Sequence, residues 1–175
     1  FSNTKSSPFY TLTEAVHKES KAATQEQIAI ASFWDCNPFA VQDQGHLQYG
    51  FKKISPGAHW LGITGIACEK ANKSFNESMQ IYTSVSIGLM DAFMCCWDEK
   101  FRSNRIRPET AIRKFIDPEW IPLLQTPPFP EYTSGHSVAS STIAIVLTKI
   151  FGDNFSFTDD YEVPYINISR SFPSF

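Results

Sequence analysis

Basic side chains are concentrated in one short stretch of this 175-residue sequence, where six of the 15 Lys and Arg residues occupy positions 100–114. They are Lys100, Arg102, Arg105, Arg107, Arg113 and Lys114. Arg presents a planar fork that suits phosphate-like oxygens, and Lys presents a compact positive charge. The stretch therefore predicts either a binding site for an oxyanion or a solvated positive face on an acidic protein.

A second polar group, the run Tyr132-Thr133-Ser134-Gly135-His136-Ser137, directly precedes a segment rich in Ala, Ile and Val. If that segment is a helix, its first N–H groups and its dipole favour an anion over Ser134 and Gly135. His136 then stands in the first turn, where an imidazole that titrates near neutrality can transfer a proton. The alternative interpretation is that Ser134 only caps the helix and that His136 is an ordinary first-turn residue.

The spacing of apolar residues predicts that helices position both groups. We expect helices over residues 12–34, 60–73, 76–99, 110–115 and 134–151, the last ending before Gly152. The third helix should bury the face formed by Met79, Tyr82, Ser86, Leu89, Phe93 and Cys96. No run alternates convincingly over five residues, so we expect no sheet. The predicted fold is an all-α helical bundle, a single domain over residues 1–175 with further chain at both ends.

Composition excludes several classes of protein. The net charge is −3, which argues against a nucleic-acid partner, and no stretch is apolar enough to span a membrane. The four cysteines show no metal-binding spacing, and a zinc site from Cys36, His46 and His59 matches no known pattern. We expect buried free thiols, although the sequence leaves one disulfide open.

Two motifs then occur in order: Lys100, six residues and Arg107-Pro108, followed by Ser134-Gly135-His136. The pair resembles the signature of the phosphatidic-acid phosphatase type 2 and vanadium haloperoxidase superfamily, Lys-x6-Arg-Pro and Pro-Ser-Gly-His. Thr133 replaces the Pro of the second motif. Trp97 and Phe129 are similar to aromatic positions beside the halide site of fungal-type chloroperoxidases, although ordinary core packing is the alternative.

The resemblance implies vanadate, or phosphate, as the bound oxyanion. Lys100, Arg107, Ser134 and Gly135 would bind its oxygens, and His136 would be the acid–base group. In a haloperoxidase the substrates would be hydrogen peroxide and a halide. The alternatives are an acid phosphatase that acts on phosphate monoesters through a phosphohistidine, and a catalytically incomplete helical domain that binds an oxyanion or a partner. A periplasmic or secreted location is a family-level expectation.

The family's third motif, Ser-Arg-x5-His-x3-Asp, is not complete in this sequence. Ser169-Arg170 either begins that motif, with its His beyond Phe175, or belongs to a segment that precedes it. In both cases the His that bonds vanadium or attacks phosphorus is absent, because no His follows His136. We therefore expect this chain to be a fragment of a larger protein.

Overall fold

Helices dominate the structure, a computed structural model that describes residues 2–37, 41–44, 46–50 and 53–175. The helices are α1 (Pro8–Ala22), α2 (Gln25–Phe33), α3 (Pro56–Lys70), α4 (Phe75–Ser103), α5 (Pro108–Phe115), α6 (Gly135–Phe151) and α7 (Val163–Ile166). The strands are β1 (Val41–Gln44), β2 (Leu47–Gly50), β3 (Phe157–Asp159) and β4 (Arg170–Phe172). The all-α prediction is confirmed. None of the described helices is long and apolar enough to cross a bilayer.

The chain divides into two compact units. The first unit comprises Phe1–Asp35 and Trp97–Thr133, and the second comprises Cys36–Cys96 and Ser134–Phe175. The prediction of a single domain over residues 1–175 stays a prediction.

Side-chain caps determine where several helices begin. Ser7, Ser55 and Ser134 each accept a hydrogen bond from a backbone N–H in the first turn of the helix that follows. Thr24 does the same for α2, and Gln27 reaches back to the Thr24 N–H to complete a capping box. The prediction of one helix over residues 12–34 is therefore wrong, because this box ends α1 and starts α2.

Helix α4 is where the sequence predicts it, but its buried face is only partly the predicted one. Leu89 and Cys96 are buried as predicted, whereas Met79 is 46% exposed. The other buried residues of α4 are Ile81, Val85, Ala92 and Lys100. Apolar residues also lie on its exposed side, namely Ile87, Met90 and Met94. Two apolar faces on one helix make the buried stripe ambiguous from spacing alone.

Two short antiparallel sheets correct the expectation that the chain has no sheet. β1 pairs with β2, where Val41 faces Gly50, and β3 pairs with β4, where Phe157 faces Phe172. Each strand has only three or four residues. Strands this short cannot show the longer alternation on which the prediction depended.

In the first unit, α1 packs against α5 and the buried side chains include Phe33, Ile112 and Trp120. Pro108 occupies the first turn of α5, where its missing N–H costs nothing. The residues after α5, up to Thr133, are irregular apart from isolated turns, as the six prolines of residues 108–130 predict.

In the second unit, α3 packs against α6 and β3 around Ile63, Ala67, Ile143 and Leu147, all fully buried. Gly88 lets α4 approach α6, since a Cβ at that position would lie 3.3 Å from Ile143 Cδ1. Gly152 ends α6 with a φ of +90°, a conformation that favours glycine, which agrees with the predicted end of this helix.

Candidate oxyanion site

The basic residues of positions 100–114 differ in the groups that they contact. Three arginines pair with carboxylates: Arg102 with Glu99, Arg105 with Glu131, and Arg113 with Glu109. The Arg105 Nε lies 2.8 Å from Glu131 Oε2 without the alignment of a hydrogen bond, so this contact is an ion pair. These partners offset the arginine charges, and the predicted oxyanion site does not need those residues.

Lys100 is buried and contacts neutral groups. Its side chain is on α4, the residue is 1% exposed, and Nζ donates to the carbonyl oxygens of Pro130 at 3.0 Å and Glu131 at 3.1 Å. Nζ also lies 5.1 Å from the centre of the Phe129 ring and 5.6 Å from that of Trp97. Burial makes an ammonium sensitive to the charges around it, so a bound anion here would interact strongly.

Arg107 reaches the same aromatic residue from another direction. Its Nε donates to the Phe129 carbonyl at 2.6 Å, and its guanidinium carbon lies 4.9 Å from the Phe129 ring centre. Within the described residues it forms no ion pair. Burial lowers the pKa of Arg107, and the Glu131 charge, which raises that pKa, offsets only part of the effect. Arg107 is therefore a partly desolvated cation. Its two terminal nitrogens form no hydrogen bond with the described residues.

Local geometry explains why Lys100 and Arg107 both contact Phe129. Trp97 and Lys100 are three residues apart on α4 and share one side of the helix. Arg107 has an extended backbone, with φ −66° and ψ 144°, because the following Pro108 disfavours the helical conformation. The Trp97 and Phe129 rings are 5.2 Å apart and tilted by 48°. We call Trp97, Lys100, Arg107 and Phe129 the cation–aromatic cluster; all four belong to the first unit.

The turn at Ser134, Gly135 and His136 belongs to the second unit and begins α6. Ser134 is the N-cap: its Oγ accepts from the Ser137 N–H at 3.2 Å. The first intrahelical bond runs from Val138 N to Ser134 O at 3.0 Å, so the N–H groups of Gly135 and His136 precede the helical ladder. Ser134 and His136 are exposed. Ser134 therefore caps α6, and a capping hydroxyl still has a proton to donate.

The remaining histidines differ in environment. His17 places Nε2 3.1 Å from Asp117 Oδ2 and packs its ring edge-on against Trp120. His46 is exposed in the turn between β1 and β2. His59 is 1% exposed inside α3.

Sequence reasoning missed a group of buried residues around His59. Cys36, His59 and Glu162 place a sulfur, a ring nitrogen and a carboxylate oxygen within 4.8 Å of one another, and Asp159 contacts the other ring nitrogen. The pair of Cys36 and His59 was considered from the sequence with His46 as the third member. Asp159 lies 100 residues after His59 in the chain, so no local spacing could indicate the acidic members.

Comparison with known proteins identifies the family. A family model for the VCPO second helical-bundle domain matches residues 80–174. A solved structure described as the first bacterial vanadium-dependent iodoperoxidase matches with a TM-score of 0.90 and 51% identity, over 99% of this chain and 41% of that one. No curated protein matches. The chain belongs to the vanadium haloperoxidase family, and it spans less than half the length of that relative.

Proposed function

We propose that this chain carries part of the vanadate-binding site of a haloperoxidase that oxidises halide with hydrogen peroxide. One observation carries the proposal: Lys100 and Arg107 converge on Phe129 while three neighbouring arginines are paired with carboxylates. Two desolvated cations that both contact Phe129 repel each other, and an anion between them would relieve that repulsion. The donor set therefore fits an oxyanion.

Each residue has a proposed part in holding that anion. Lys100 and Arg107 would bind oxygens of vanadate, Ser134 would donate its hydroxyl, and Gly135 would donate its N–H. His136 would be the acid–base group of the site. When bound, vanadate supplies the centre at which peroxide becomes able to oxidise a halide. The order of the two motifs in the sequence and the family membership support these assignments.

The rings of Trp97 and Phe129 are proposed to form the halide side of the pocket. Both are half-buried, and they lie 5.2 Å apart beside the Lys100 ammonium. Aromatic walls exclude water and leave a weakly hydrated anion such as iodide or bromide close to a positive charge. Phosphatase chemistry would use the same oxyanion donors, but the matched relative is named an iodoperoxidase.

The test is vanadate affinity of the full chain with and without the Arg107 guanidinium, measured by calorimetry. Charge-assisted hydrogen bonds contribute about 1.5–3 kcal/mol each, so Arg107→Ala should weaken binding by about 10-fold to 100-fold or more. The matched control is Arg113→Ala, because Arg113 lies on the adjoining α5 but pairs with Glu109 at 3.1 Å. Unchanged affinity in Arg107→Ala, or an equal loss in both variants, would contradict the assignment.

Activity separates the candidate reactions. The active protein should oxidise iodide or bromide only with both vanadate and peroxide, and vanadate should inhibit any hydrolysis of phosphate esters. Hydrolysis without vanadate and no halide oxidation would favour the acid phosphatase. Vanadate binding without either activity would favour the catalytically incomplete oxyanion-binding domain.

A further inference from the structure

The buried group around His59 has a composition that solvent-excluded cores rarely contain. Cys36 is 3% exposed, His59 1%, Asp159 0% and Glu162 2%. All four belong to the second unit. His59 comes from α3, Asp159 from the end of β3, and Glu162 from the residue that precedes α7. Thiol, imidazole and carboxylate groups this deeply buried are costly unless they satisfy one another or bind an ion.

Asp159 determines which nitrogen of His59 faces the other two residues. The Asp159 Oδ2 lies 2.7 Å from His59 Nε2, a distance at which the carboxylate accepts the Nε2 proton. With that proton on Nε2, Nδ1 presents its lone pair toward Cys36 Sγ at 3.4 Å and Glu162 Oε1 at 3.7 Å. A carboxylate behind an imidazole is the usual arrangement around a metal-binding His, because it sets the tautomer and raises the basicity of the free nitrogen.

Glu162 supplies a second and independent observation. Its Oε2 is buried and makes no hydrogen bond within the described part of the chain. A buried carboxylate oxygen without a hydrogen-bond partner needs an explanation, and a cation held between Glu162, His59 and Cys36 would provide one.

We propose that Cys36 Sγ, His59 Nδ1 and a Glu162 carboxylate oxygen bind one zinc ion. Sulfur, imidazole nitrogen and carboxylate oxygen are all zinc ligands, and the thiolate disfavours magnesium and calcium. Tetrahedral zinc with ordinary bond lengths separates S–N and N–O ligand pairs by about 3.4–3.6 Å. The corresponding separations are 3.4 Å and 3.7 Å.

Zinc enters this site with the loss of one proton. The Cys36 thiol releases its proton to solvent as the thiolate binds, and a water molecule completes the four ligands. Asp159 accepts hydrogen bonds through Oδ2 from His59 and through Oδ1 from the Tyr161 N–H at 3.2 Å, and it has no proposed contact with the ion, so it is a positioning residue. The ion connects Cys36 to α3 and to the turn before α7, all within the second unit, and its binding does not depend on the proposed vanadate site.

Metal binding to the full chain tests the proposal. Metals are first removed with a chelator, and zinc is then added back. We expect the chain to bind one zinc ion, measured by competition with a chromophoric chelator, and its thermal midpoint to be higher with zinc than without it. Cobalt(II), used as a probe, should give an intense near-ultraviolet thiolate-to-cobalt band. Cys36→Ser should lose that band, and Glu162→Gln should lose stoichiometric binding.

Two further variants separate ligation from structure. Cys68→Ser is the matched control, because Cys68, on α3, is a second buried cysteine of the same unit but lies outside this group. This variant should leave binding unchanged. Asp159→Asn should weaken zinc binding by about 10-fold to 100-fold while the cobalt band remains. If Cys36→Ser does not fold, the wild-type cobalt spectrum decides. Absence of the thiolate band in the wild type, or equal binding by Glu162→Gln, would overturn the proposal.

Discussion

Side chains of the same charged type have different interaction partners in this protein, depending on their surroundings. Arg105 and Arg107 are two residues apart, yet Arg105 pairs with Glu131 and Arg107 contacts the Phe129 carbonyl and ring. Lys100 is buried, whereas Lys114 lies over the ring of its neighbour Phe115. A cation already paired with a carboxylate gains little from a further anion, so only Lys100 and Arg107 are proposed to bind vanadate.

His136 tests the acid–base role in the proposed reaction. Because the residue is exposed in the first turn of α6, His136→Ala should not disturb the core. A lost acid–base group costs about 10²–10⁴-fold in rate. We therefore expect vanadate-dependent halide oxidation in the active protein to fall by that factor, with a much smaller change in vanadate affinity.

The control for this variant is His46→Ala, since His46 is also exposed but lies in the turn between β1 and β2. Turnover and vanadate affinity are measured on both variants. An equal loss of the two quantities in His136→Ala would identify His136 as a ligand or a structural residue.

Among the elements, α3 shows how close packing restricts individual positions. A Cβ at Gly62 would lie 2.4 Å from Cγ of Tyr161, whereas a Cβ at Gly57 would meet only Leu89 Cδ1 at 4.0 Å. Tyr161 immediately precedes Glu162 in the turn between β3 and α7. The absence of a side chain at Gly62 therefore lets this turn approach α3.

Gly62→Ala and Gly57→Ala make a matched pair within α3. Alanine improves helix propensity by up to about 1 kcal/mol over glycine. At Gly62 this gain is outweighed, because forcing the Tyr161 ring away costs about 1–3 kcal/mol. Thermal or urea unfolding should show Gly62→Ala destabilised and Gly57→Ala neutral or stabilised. Equal stability of the two variants would mean that Tyr161 does not pack against Gly62.

At the scale of the whole molecule, contacts between distant parts of the sequence hold each unit together. In the first unit, Asp117 accepts from Lys21 Nζ at 2.7 Å and lies 3.1 Å from His17 Nε2, so it connects α1 to the residues after α5. The Lys21 hydrogen bond, followed by that of His17, lowers the pKa of Asp117 to about 2. These contacts make the stability of the unit depend on pH.

The depressed pKa determines the sign of that dependence. An unfolded Asp titrates near pH 3.9, so between about pH 4 and pH 2 the unfolded chain binds more protons than the folded one. The Asp117 contacts therefore stabilise the fold fully above about pH 4, and this stabilisation is lost as the pH falls toward 2. Asp117→Asn should lower the thermal midpoint at neutral pH and flatten its acid dependence.

Thermal unfolding of the wild type and Asp117→Asn across that pH range measures the effect. Asp153→Asn serves as the control, because Asp153 is an exposed carboxylate that forms no hydrogen bond or ion pair with a described residue. Parallel pH curves for the wild type and Asp117→Asn would show that the contacts with Lys21 and His17 do not form.

Much of the helical fold follows from local sequence alone. The apolar spacing predicts α3, α4 and α6, and Gly152 predicts the end of α6, because these signals act over one or two turns. The break between α1 and α2 was also readable, since Thr24 and Gln27 form a capping box. The motif containing Lys100 and Arg107 and the motif containing Ser134 to His136 suffice to predict the family.

Other features depend on contacts that no local pattern contains. Arg105 is not a candidate anion ligand, because it pairs with Glu131, more than 20 positions later in the chain. Lys100 and Arg107 both contact Phe129, which also lies more than 20 positions after each of them. The group of Cys36, His59, Asp159 and Glu162 forms only when α3 and the end of β3 pack together. Side-chain spacing reports the period of one element, and only tertiary packing determines which elements meet.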